Sequence, residues 1–242
     1  MLPHSPLPVV ALTGMTFEAR IASGPDITVV CSCRADVLAE GLAAAIAKGC
    51  RGIVSFGIAG GLAPHLRPGA CIIARSIVTP QQERIDTHLE WASQLLQTIS
   101  GSTHADLLGS RELVSLPSDK IALRRSTGAV AVDMESIIGI RAAAEHGLPF
   151  AAVRVVADAC HRELPPAAQI QLTVSGSPDL PAVLRSVMGR PRQVSALMRV
   201  ALDTRTARSA LLRARRELGF GFGLLDVAAP LVAQRAAAAL AE

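Results

Sequence analysis

Tyrosine is missing from this chain of 242 residues, which also has only one tryptophan and five phenylalanines. Its apolar residues, half of the total, are mainly Ala, Val, Leu and Ile. No run approaches the ~20 uninterrupted apolar residues that a membrane-spanning helix needs. The start, MLPHSPLPVV, lacks the basic segment and apolar core of a secretion signal. We therefore expect neither a membrane span nor a leader, and the length suits one large α/β domain or two small ones.

Cysteine pairs at metal-ligand spacing are also missing. The cysteines are odd in number and form no CxxC, and no Cys/His pairs recur at ligand spacing. Most lie in apolar, strand-like runs, which favours reduced thiols in the core of a cytoplasmic protein. The sequence therefore predicts no metal site. The five are Cys31, Cys33, Cys50, Cys71 and Cys160.

Lysine is scarce too, since only Lys48 and Lys120 occur, and the net charge of +4 comes from arginine. The charge is uneven: residues 182–242 hold ten arginines and four acids, which gives +6 and leaves about −2 for the rest. Two interpretations stay open. The basic end is either an ordinary solvated face, the commoner arrangement, or a surface that contacts an anionic partner such as the inner membrane.

Short β-branched runs alternate with helical patterns over residues 8–158. Near-continuous apolar strands between helices predict an α/β fold whose sheet is covered on both faces. The predicted strands are Val9–Leu12, Ile27–Cys31, Gly52–Phe56, Ala70–Val78, Leu107–Leu116, Ala129–Val132 and Phe150–Ala157. The predicted helices are Ala35–Lys48, His88–Ser100, Ser118–Ser126 and Met134–His146, the last ended by Gly147 and Pro149.

The pattern changes after residue 162, where LPPAAQ, SGSPDLP and GRPRQ introduce turn signals. Two helical stretches follow, Val194–Leu218 and Leu225–Leu240. In the first, arginines interleave with apolar residues, so the sequence pattern shows no clean amphipathic face. We predict a main domain over residues 1–180 and a basic helical extension over 181–242 that packs on the same domain.

Two glycine-containing stretches follow predicted strands. GIAGGL (57–62) is predicted to form a loop whose backbone N–H groups approach a phosphate, a sugar hydroxyl or a water, although a plain tight turn fits equally well. It is neither GxGxxG nor a P-loop. In GMTFEAR (14–20), Glu18 and Arg20 fall at a helix start near a strand's carboxyl end, where α/β sheets bind ligands. Alternatively, Glu18 only complements the helix N-terminus, an effect of about 0.3–1 kcal/mol.

Two acidic stretches follow the later strands. In VDMES, Asp133 and Glu135 flank Met134 directly after an apolar run, where they either cap a helix or bind a ligand. In RVVADA, Asp158 ends a buried strand, and desolvation there would raise its pKa and suit it to donate a proton. A helix cap is an equally good interpretation of Asp158 from the sequence pattern.

In this order, the four stretches resemble the purine nucleoside phosphorylase and methylthioadenosine/adenosylhomocysteine nucleosidase superfamily over about residues 8–165. SFGIAGGLAP, AVAVDMES and the spacing to VRVVADA carry the resemblance. It implies a three-layer α/β/α sandwich with a mixed, partly barrel-like central sheet, and a homo-oligomer. It also implies a small-molecule nucleoside as ligand and no nucleic acid.

The resemblance implies a role for each matching residue. Asp158 matches the acid that protonates N7 of the purine, and Glu18 matches the glutamate that polarises the attacking water. Met134 and Glu135 match the ribose site, where the glutamate accepts hydrogen bonds from the sugar hydroxyls. The positions that would surround the phosphate or water are Gly14, Arg20, Gly57 and Ile58. Acids near the sugar stabilise the oxocarbenium-like transition state, and adenine leaves only once N7 is protonated.

Two positions depart from the phosphorylase pattern. Ile58 stands where many members have Ser or Thr, and Ser55 stands where hexameric phosphorylases have an arginine. Both positions help to hold phosphate in that family. The nucleophile therefore stays open between water and inorganic phosphate, and no other cofactor is implied.

The region after Asp158 resembles the hopanoid-associated phosphorylase group, through LPPAAQ, SPDLPAVLRSVMGRP and the arginine-rich end. That resemblance implies release of adenine from adenosylhopane, and Met15, Phe17 and Ile58 would give the site an apolar edge. A methylthioadenosine/adenosylhomocysteine nucleosidase and a non-catalytic nucleoside- or lipid-binding module of the same fold are the alternatives.

Overall fold

The computed structural model describes residues 7–170 and 180–224, which form eight strands and seven α-helices. The strands are β1 (Val9–Thr13), β2 (Ile27–Cys31), β3 (Gly52–Gly61), β4 (Cys71–Val78), β5 (Arg84–Asp86), β6 (Thr103–Gly109), β7 (Ala131–Asp133) and β8 (Phe150–Asp158). The helices are α1 (Thr16–Ala22), α2 (Ala35–Ala47), α3 (Leu89–Thr98), α4 (Pro117–Thr127), α5 (Ser136–His146), α6 (Leu180–Gly189) and α7 (Val194–Leu218).

All eight strands belong to one mixed sheet, part of which closes on itself. The strand order is β2-β1-β3-β7-β6-β4-β5, and β8 pairs with both β3 and β4. The circuit β3-β7-β6-β4-β8 therefore returns to β3. Within it, the β3–β7 and β4–β8 pairs are antiparallel and the other three are parallel. The predicted mixed, partly barrel-like sheet is confirmed.

Helices cover both faces of this sheet, as predicted for a three-layer sandwich. On one face, side chains of α1, α3 and α7 form a core with β1, β3 and β8. On the other face, α2 and α5 pack against the same strands and the circuit. Along β8 the alternation is regular: Val153, Val155 and Ala157 enter the first core, and Ala152 and Val156 enter the second.

Helix α7 is attached to the sheet by its second half. Ala207, Ala210, Leu211, Ala214 and Leu218 are buried in the first core. Beyond the helix, a tight 3-10 turn at Phe220–Gly223 places the Phe222 carbonyl 2.9 Å from the Trp91 indole N–H, which donates to it. The Phe222 ring meets Phe56 edge-to-face. The C-terminal helix therefore forms part of the hydrophobic core.

The glycine-rich stretch is a strand and not a loop. We predicted that the strand would stop at Phe56, but β3 continues to Gly61 because β8 pairs with it along its length and β7 joins at Gly60 and Gly61. The register shifts at Ala59 and Gly60, because their partners on β8 are Val156 and Asp158 and Ala157 is an extra residue between them. The prediction of a loop nest at Gly57 and Ile58 is thus wrong in its local structure.

Other boundaries also differ. Strand β6 spans Thr103–Gly109 and not Leu107–Leu116, because its polar start pairs with β4 and the chain turns away at Gly109. Strand β5 and helix α6 carry no signal that we recognised in the sequence. Gly147 is confirmed as a helix end, with a φ of 63°. The predicted helix Leu225–Leu240 lies outside the described residues.

The cysteines and the helix lengths can be compared with the sequence predictions. All five cysteines are free, and burial raises the pKa of the Cys71 thiol to about 12. None of the helices in the described ranges is both long and apolar enough to cross a bilayer.

Candidate active site

Glu18 is the first acid of the candidate site and is almost fully buried, with 2% of its surface exposed. Its Oε2 accepts hydrogen bonds from the backbone N–H groups of Gly14 (3.0 Å) and Met15 (2.8 Å). Its Oε1 accepts a third from the N–H of Ile58 at 2.7 Å. Glu18 therefore caps α1 and also joins that helix to β3. Since a carboxylate has about four acceptor positions, one remains for a further donor.

Arg154 lies at the centre of the site and is fully buried within β8. Its Nη2 forms ion pairs with Asp133 and, at 3.0 Å, with Glu135. The same nitrogen donates to the Ser55 hydroxyl, and Nη1 donates to the Ile58 carbonyl at 3.3 Å. One guanidinium thus holds the ends of β3, β7 and α5 together.

Gly14 and Gly57 provide the space that this cluster needs. A Cβ on Gly14 would lie 2.3 Å from Glu135 Oε1. A Cβ on Gly57 would lie 2.5 Å from Glu18 Oε1 and 2.7 Å from Arg154 Nη1. Both distances are far below van der Waals contact, so the two glycines are required by close approach of the acids to the backbone.

Asp133 has a structural role in the cluster. Its Oδ2 accepts hydrogen bonds from the backbone N–H of Ser136 at 3.1 Å and from the Ser136 hydroxyl, so it satisfies the first N–H of α5. The same oxygen faces Arg154. The two VDMES acids therefore differ in their contacts: Asp133 binds the first residue of α5, and the Glu135 side chain, which is 15% exposed, faces Arg154.

The charges of the cluster do not balance. Glu18, Asp133 and Glu135 surround a single cation, Arg154, and burial penalises every ionised acid. Burial raises the pKa of Glu135 to about 7; Arg154 opposes the shift, and the Asp133 and Glu18 charges add to it. Burial likewise raises the pKa of Glu18, against Arg154 and the three backbone donors. Acids with raised pKa values in a buried polar cluster are typical of catalytic sites.

Asp158, at the end of β8, lies in a second polar cluster. Its carboxylate pairs with the ammonium of Lys120, which α4 places there with no exposed surface. Burial raises the pKa of Asp158, and Lys120 opposes that shift. Gly60 lies beside the carboxylate: a Cβ there would be 3.4 Å from Asp158 Oδ1.

Arg154 and Asp158 both lie on β8, four residues apart. The pairing register shifts between them, because Val156 pairs with Ala59 and Asp158 pairs with Gly60, so the regular alternation of side chains ends before Asp158. At about 3.3 Å per residue, their Cα atoms are at most about 13 Å apart. The two clusters are therefore neighbours along β8, one rich in carboxylates and one holding an acid paired with a lysine.

The remaining predicted residues are placed as follows. Met134 is partly buried between the two acids of VDMES. Ile58 contributes its backbone to Glu18 and Arg154, while its side chain packs against the core together with Phe17. Arg20 lies exposed in the last turn of α1, and the guanidinium in the cluster belongs to Arg154.

Sequence reasoning missed Arg154, Lys120 and the part played by Ser55. The sequence did contain a signal for Arg154: it is a charged residue within an otherwise apolar strand, and it lies four residues before Asp158. Lys120 had none beyond the rarity of lysine in this chain. Within residues 7–170 and 180–224, no group of three or more His, Cys, Asp or Glu side chains is arranged to hold a metal ion.

A cleft of about 720 Å³ lies between the loops after β4 and β6 and the helices α4 and α5. Its apolar wall includes Leu113, Leu123 and Ile137. The N–H of Ser110, on its rim, donates to the Asp133 carbonyl at 2.8 Å, which connects the cleft to the Arg154 cluster.

The closed mixed sheet between helical layers defines the fold of nucleoside phosphorylases and nucleosidases. A family profile described as the phosphorylase superfamily matches residues 100–187, which include Lys120, Glu135, Arg154 and Asp158. The comparison with curated proteins gives no match.

Solved structures match over most of the chain. The 5′-methylthioadenosine/S-adenosylhomocysteine nucleosidase of Helicobacter pylori has a TM-score of 0.62 and 13% identity, and the match covers 88% of this chain and 99% of that one. The futalosine hydrolase of the same organism has a TM-score of 0.59 and 14% identity, with 88% and 98% covered. The S-adenosylhomocysteine nucleosidase of Streptococcus pyogenes has a TM-score of 0.57 and 13% identity, with 83% and 98% covered. At such low identity the likeness establishes the fold alone, and the phosphorylase-superfamily profile covers residues 100–187.

Proposed function

We propose that this chain is an enzyme that cleaves the N-glycosidic bond of an adenine nucleoside and releases adenine. The observation that carries the proposal is the pair of polar clusters that β8 holds within four residues, at Arg154 and at Asp158. The Arg154 cluster presents carboxylates where the sugar and nucleophile would lie, and Asp158 presents an acid to the base. The span of roughly 13 Å between their Cα atoms, shortened by the side chains, suits a nucleoside.

Each acid has a chemical task in this scheme. Asp158 donates a proton to N7 as the bond between N9 and C1′ breaks, so that adenine leaves as a neutral molecule. Glu135 accepts hydrogen bonds from the ribose hydroxyls, and the surrounding negative charge stabilises the oxocarbenium-like sugar. Glu18 accepts a proton from the water that attacks C1′, for which its raised pKa suits it.

Water is the favoured nucleophile. Three acids surround one guanidinium in the Arg154 cluster, so a phosphate dianion would meet a negative potential once Glu18 and Glu135 are ionised, and no unmatched cation when they are not. Ser55, where phosphorylases have an arginine, here accepts a hydrogen bond from Arg154 and adds no charge. The enzyme is accordingly proposed to need no cofactor and no phosphate.

The proposed substrate is adenosylhopane, as the resemblance of the C-terminal region implies. The structure supports an apolar 5′-substituent in one respect. Leu113 and Leu116, on the loop between β6 and α4, are 50% and 42% exposed, and Leu113 also lines the cleft beside the cluster. Apolar side chains that stay exposed beside a cleft are suited to contact an apolar ligand.

Contact with an anionic membrane is part of the same proposal. On α7, Val194, Met198 and Leu202 recur every four residues, hence on one face, and are 44–59% exposed. Residues 180–206 carry five arginines and a single acid, Asp203, which pairs with Arg162. An apolar stripe with a basic surround is typical of helices that lie on anionic bilayers. A cytoplasmic, membrane-peripheral location and a homo-oligomeric state complete the proposal.

The main alternative is a methylthioadenosine or adenosylhomocysteine nucleosidase, which the names of two matched structures favour. A non-catalytic binding module is the second, because fold alone does not fix function. The two clusters argue against it, since buried acids with raised pKa values are costly to retain without use.

The test is adenine release by the purified chain from adenosylhopane, methylthioadenosine and adenosylhomocysteine, with and without phosphate. We expect release from adenosylhopane, no dependence on phosphate, and a free ribosyl product by mass spectrometry. Asp158→Asn should lower kcat at least 100-fold, in the usual range for loss of a general acid. Preference for methylthioadenosine would reject adenosylhopane as the substrate, and a phosphate requirement would reject water as the nucleophile. No adenine release from any substrate would favour the non-catalytic binding module.

A further inference from the structure

Lys120 is the one buried lysine of the chain, and its ammonium is fully engaged at Asp158. Besides the carboxylate, Nζ donates to the carbonyl oxygens of Arg162 at 2.9 Å and Ala159 at 3.4 Å. These three acceptors use all three N–H donors of an ammonium group. Neither the resemblance nor the predicted site residues gave Lys120 a role.

The surroundings hold Lys120 in this position. It lies in the first turn of α4, where its backbone N–H donates to the Leu116 carbonyl at 3.1 Å. The segment after β8 is tied to the segment before α4 by a hydrogen bond of 3.1 Å from the Leu164 N–H to the Ser115 carbonyl. The loop that follows Asp158 and the helix that carries Lys120 therefore form one connected unit.

The charged groups that face Asp158 are Lys120 from α4, Arg162 from the following loop and Asp203 from α7. Arg162 pairs with Asp203 at 3.0 Å. With these two charges matched to each other, Lys120 is the cation that matches Asp158. An aspartate and a lysine in direct contact share one exchangeable proton, which lies on nitrogen in the ion pair and on oxygen in the neutral pair.

We propose that Lys120 is a positioning residue that stores the proton which Asp158 delivers to the purine, an inference that rests on the proposed function. As the bond between C1′ and N9 lengthens, negative charge develops on the purine and N7 becomes more basic; the Nζ–H bond then breaks and an O–H bond forms on Asp158. That O–H bond then breaks as the proton passes to N7. Lys120 is left as a neutral amine and Asp158 as a carboxylate, and the lysine regains a proton through Asp158, which is 15% exposed, after adenine leaves.

The test compares Lys120→Met and Lys120→Arg with the wild type in adenine release between pH 5 and pH 10. Methionine has a similar length and no proton to give. Arginine keeps the charge and the donors but is never deprotonated in proteins. If Lys120 stores the proton, both variants should lose at least tenfold in kcat at pH 8. The basic limb of the Lys120→Met profile should move to lower pH by one unit or more, because only Asp158 then holds the proton.

Two outcomes would overturn the proposal. Rescue of kcat by Lys120→Arg would show that the positive charge suffices. A basic limb of Lys120→Met that moves to higher pH would show that Asp158 holds its own proton in the wild type and that Lys120 merely lowers its affinity for it. Thermal unfolding of each variant identifies one that fails to fold. If Lys120→Arg fails to fold, the direction in which the basic limb of the pH profile shifts in Lys120→Met tests the proposal by itself.

A second measurement needs no turnover and separates this inference from the proposed function. The infrared band of a protonated carboxyl, assigned to Asp158 by subtraction of the Asp158→Asn spectrum, is followed against pH. In the wild type at pH 8 we expect no such band, and in Lys120→Met we expect it to persist to higher pH than in the wild type. A band present in the wild type at pH 8 would exclude storage on Lys120, even if no nucleoside were cleaved.

Discussion

At the scale of single residues, Arg154 explains how three acids can coexist in the interior. Removing one partner of a buried ion pair usually destabilises the folded protein by about 3–5 kcal/mol, because the other charge is left without compensation. Here Asp133 and Glu135 share the guanidinium, and Glu18 receives three backbone N–H groups as well. The site is therefore stabilised by hydrogen bonds to a small number of donors, and it depends on close approach to the backbone.

A substitution at Gly57 tests the close approach of Glu18 and Arg154 to the backbone. In Gly57→Ala the added methyl would meet Glu18 Oε1 at 2.5 Å and Arg154 Nη1 at 2.7 Å. We expect a loss of about 1–3 kcal/mol in the free energy of unfolding, as for overpacking of a core, and a fall in kcat/KM of more than tenfold. Urea unfolding and adenine release measure the two effects. Gly189→Ala is the control, since a Cβ there meets nothing within 4 Å; equal behaviour of the two variants would contradict the geometry.

Glu135 makes a prediction about pH and stability. Its pKa is about 7 in the folded protein, above the ordinary value of 4.5, so the folded state binds the proton more tightly than the unfolded chain does. Stability is therefore lost as the pH rises from about 4.5 to about 7, by up to about 3 kcal/mol at 1.36 kcal/mol per pKa unit. Glu135→Gln stays neutral and should avoid this loss.

The measurement is the free energy of unfolding of Glu135→Gln and wild type at pH 4.5 and pH 8. We expect similar values at pH 4.5, and about 1–3 kcal/mol more stability for the variant at pH 8, together with a higher KM for the nucleoside. Glu145→Gln, on an exposed position of the same helix, should follow the wild type. A variant that is less stable than the wild type at pH 8 would show that the ion pair with Arg154 outweighs burial.

At the scale of secondary-structure elements, α7 is divided into two halves, one exposed and one buried. Its second half is part of the core, through Ala207, Leu211 and Ala214. Its first half presents Val194, Met198 and Leu202 to solvent. The interleaved arginines hid this division in the sequence, because the helix turns one face to the sheet and a different one outward. Deleting the C-terminal region to test membrane binding would also remove core residues.

The double variant Met198→Ser, Leu202→Ser is a better test. It removes two exposed apolar side chains and leaves the buried half of α7 unchanged. We expect at least threefold weaker binding to liposomes that contain anionic lipid, measured by co-sedimentation, with an unchanged melting temperature. Leu89→Ser, which removes an apolar side chain that is 67% exposed on α3, should bind as the wild type does. Equal binding by the double variant would reject membrane contact through this face and favour an ordinary solvated basic surface.

At the element scale, sequence patterns located most of the secondary structure. Runs of β-branched and apolar residues predicted β1, β2, β4, β7 and β8 to within a few residues, because all but the half-buried edge strand β2 are buried on both faces and β2 is itself rich in β-branched residues. They failed at β6, which begins with the polar residues Thr103 and His104, and at β3, where glycine continues a strand. In both cases the neighbouring strands, which lie far away in the chain, supply the hydrogen bonds.

At the scale of the whole molecule, the closed circuit of strands brings the site together. Glu18 follows β1, Glu135 follows β7, and Arg154 and Asp158 lie on β8, so their spacing depends on the order of strands in the sheet. The circuit also places α4 beside the end of β8, which is how Lys120 reaches Asp158 across 38 positions of the chain. Local patterns contain no information on such pairings.

The sequence by itself determined the α/β class and most element positions, because hydrophobic periodicity is a local property, and its resemblance to a known family predicts Glu18, Glu135 and Asp158 as site acids. Only the tertiary structure decided that Arg154 and not Arg20 belongs to the acid cluster, that Asp133 binds Ser136 at the start of α5, and that Lys120 pairs with Asp158. The physical reason is that buried charges need partners. Which partner each one finds depends on side chains that the fold brings together from distant parts of the chain.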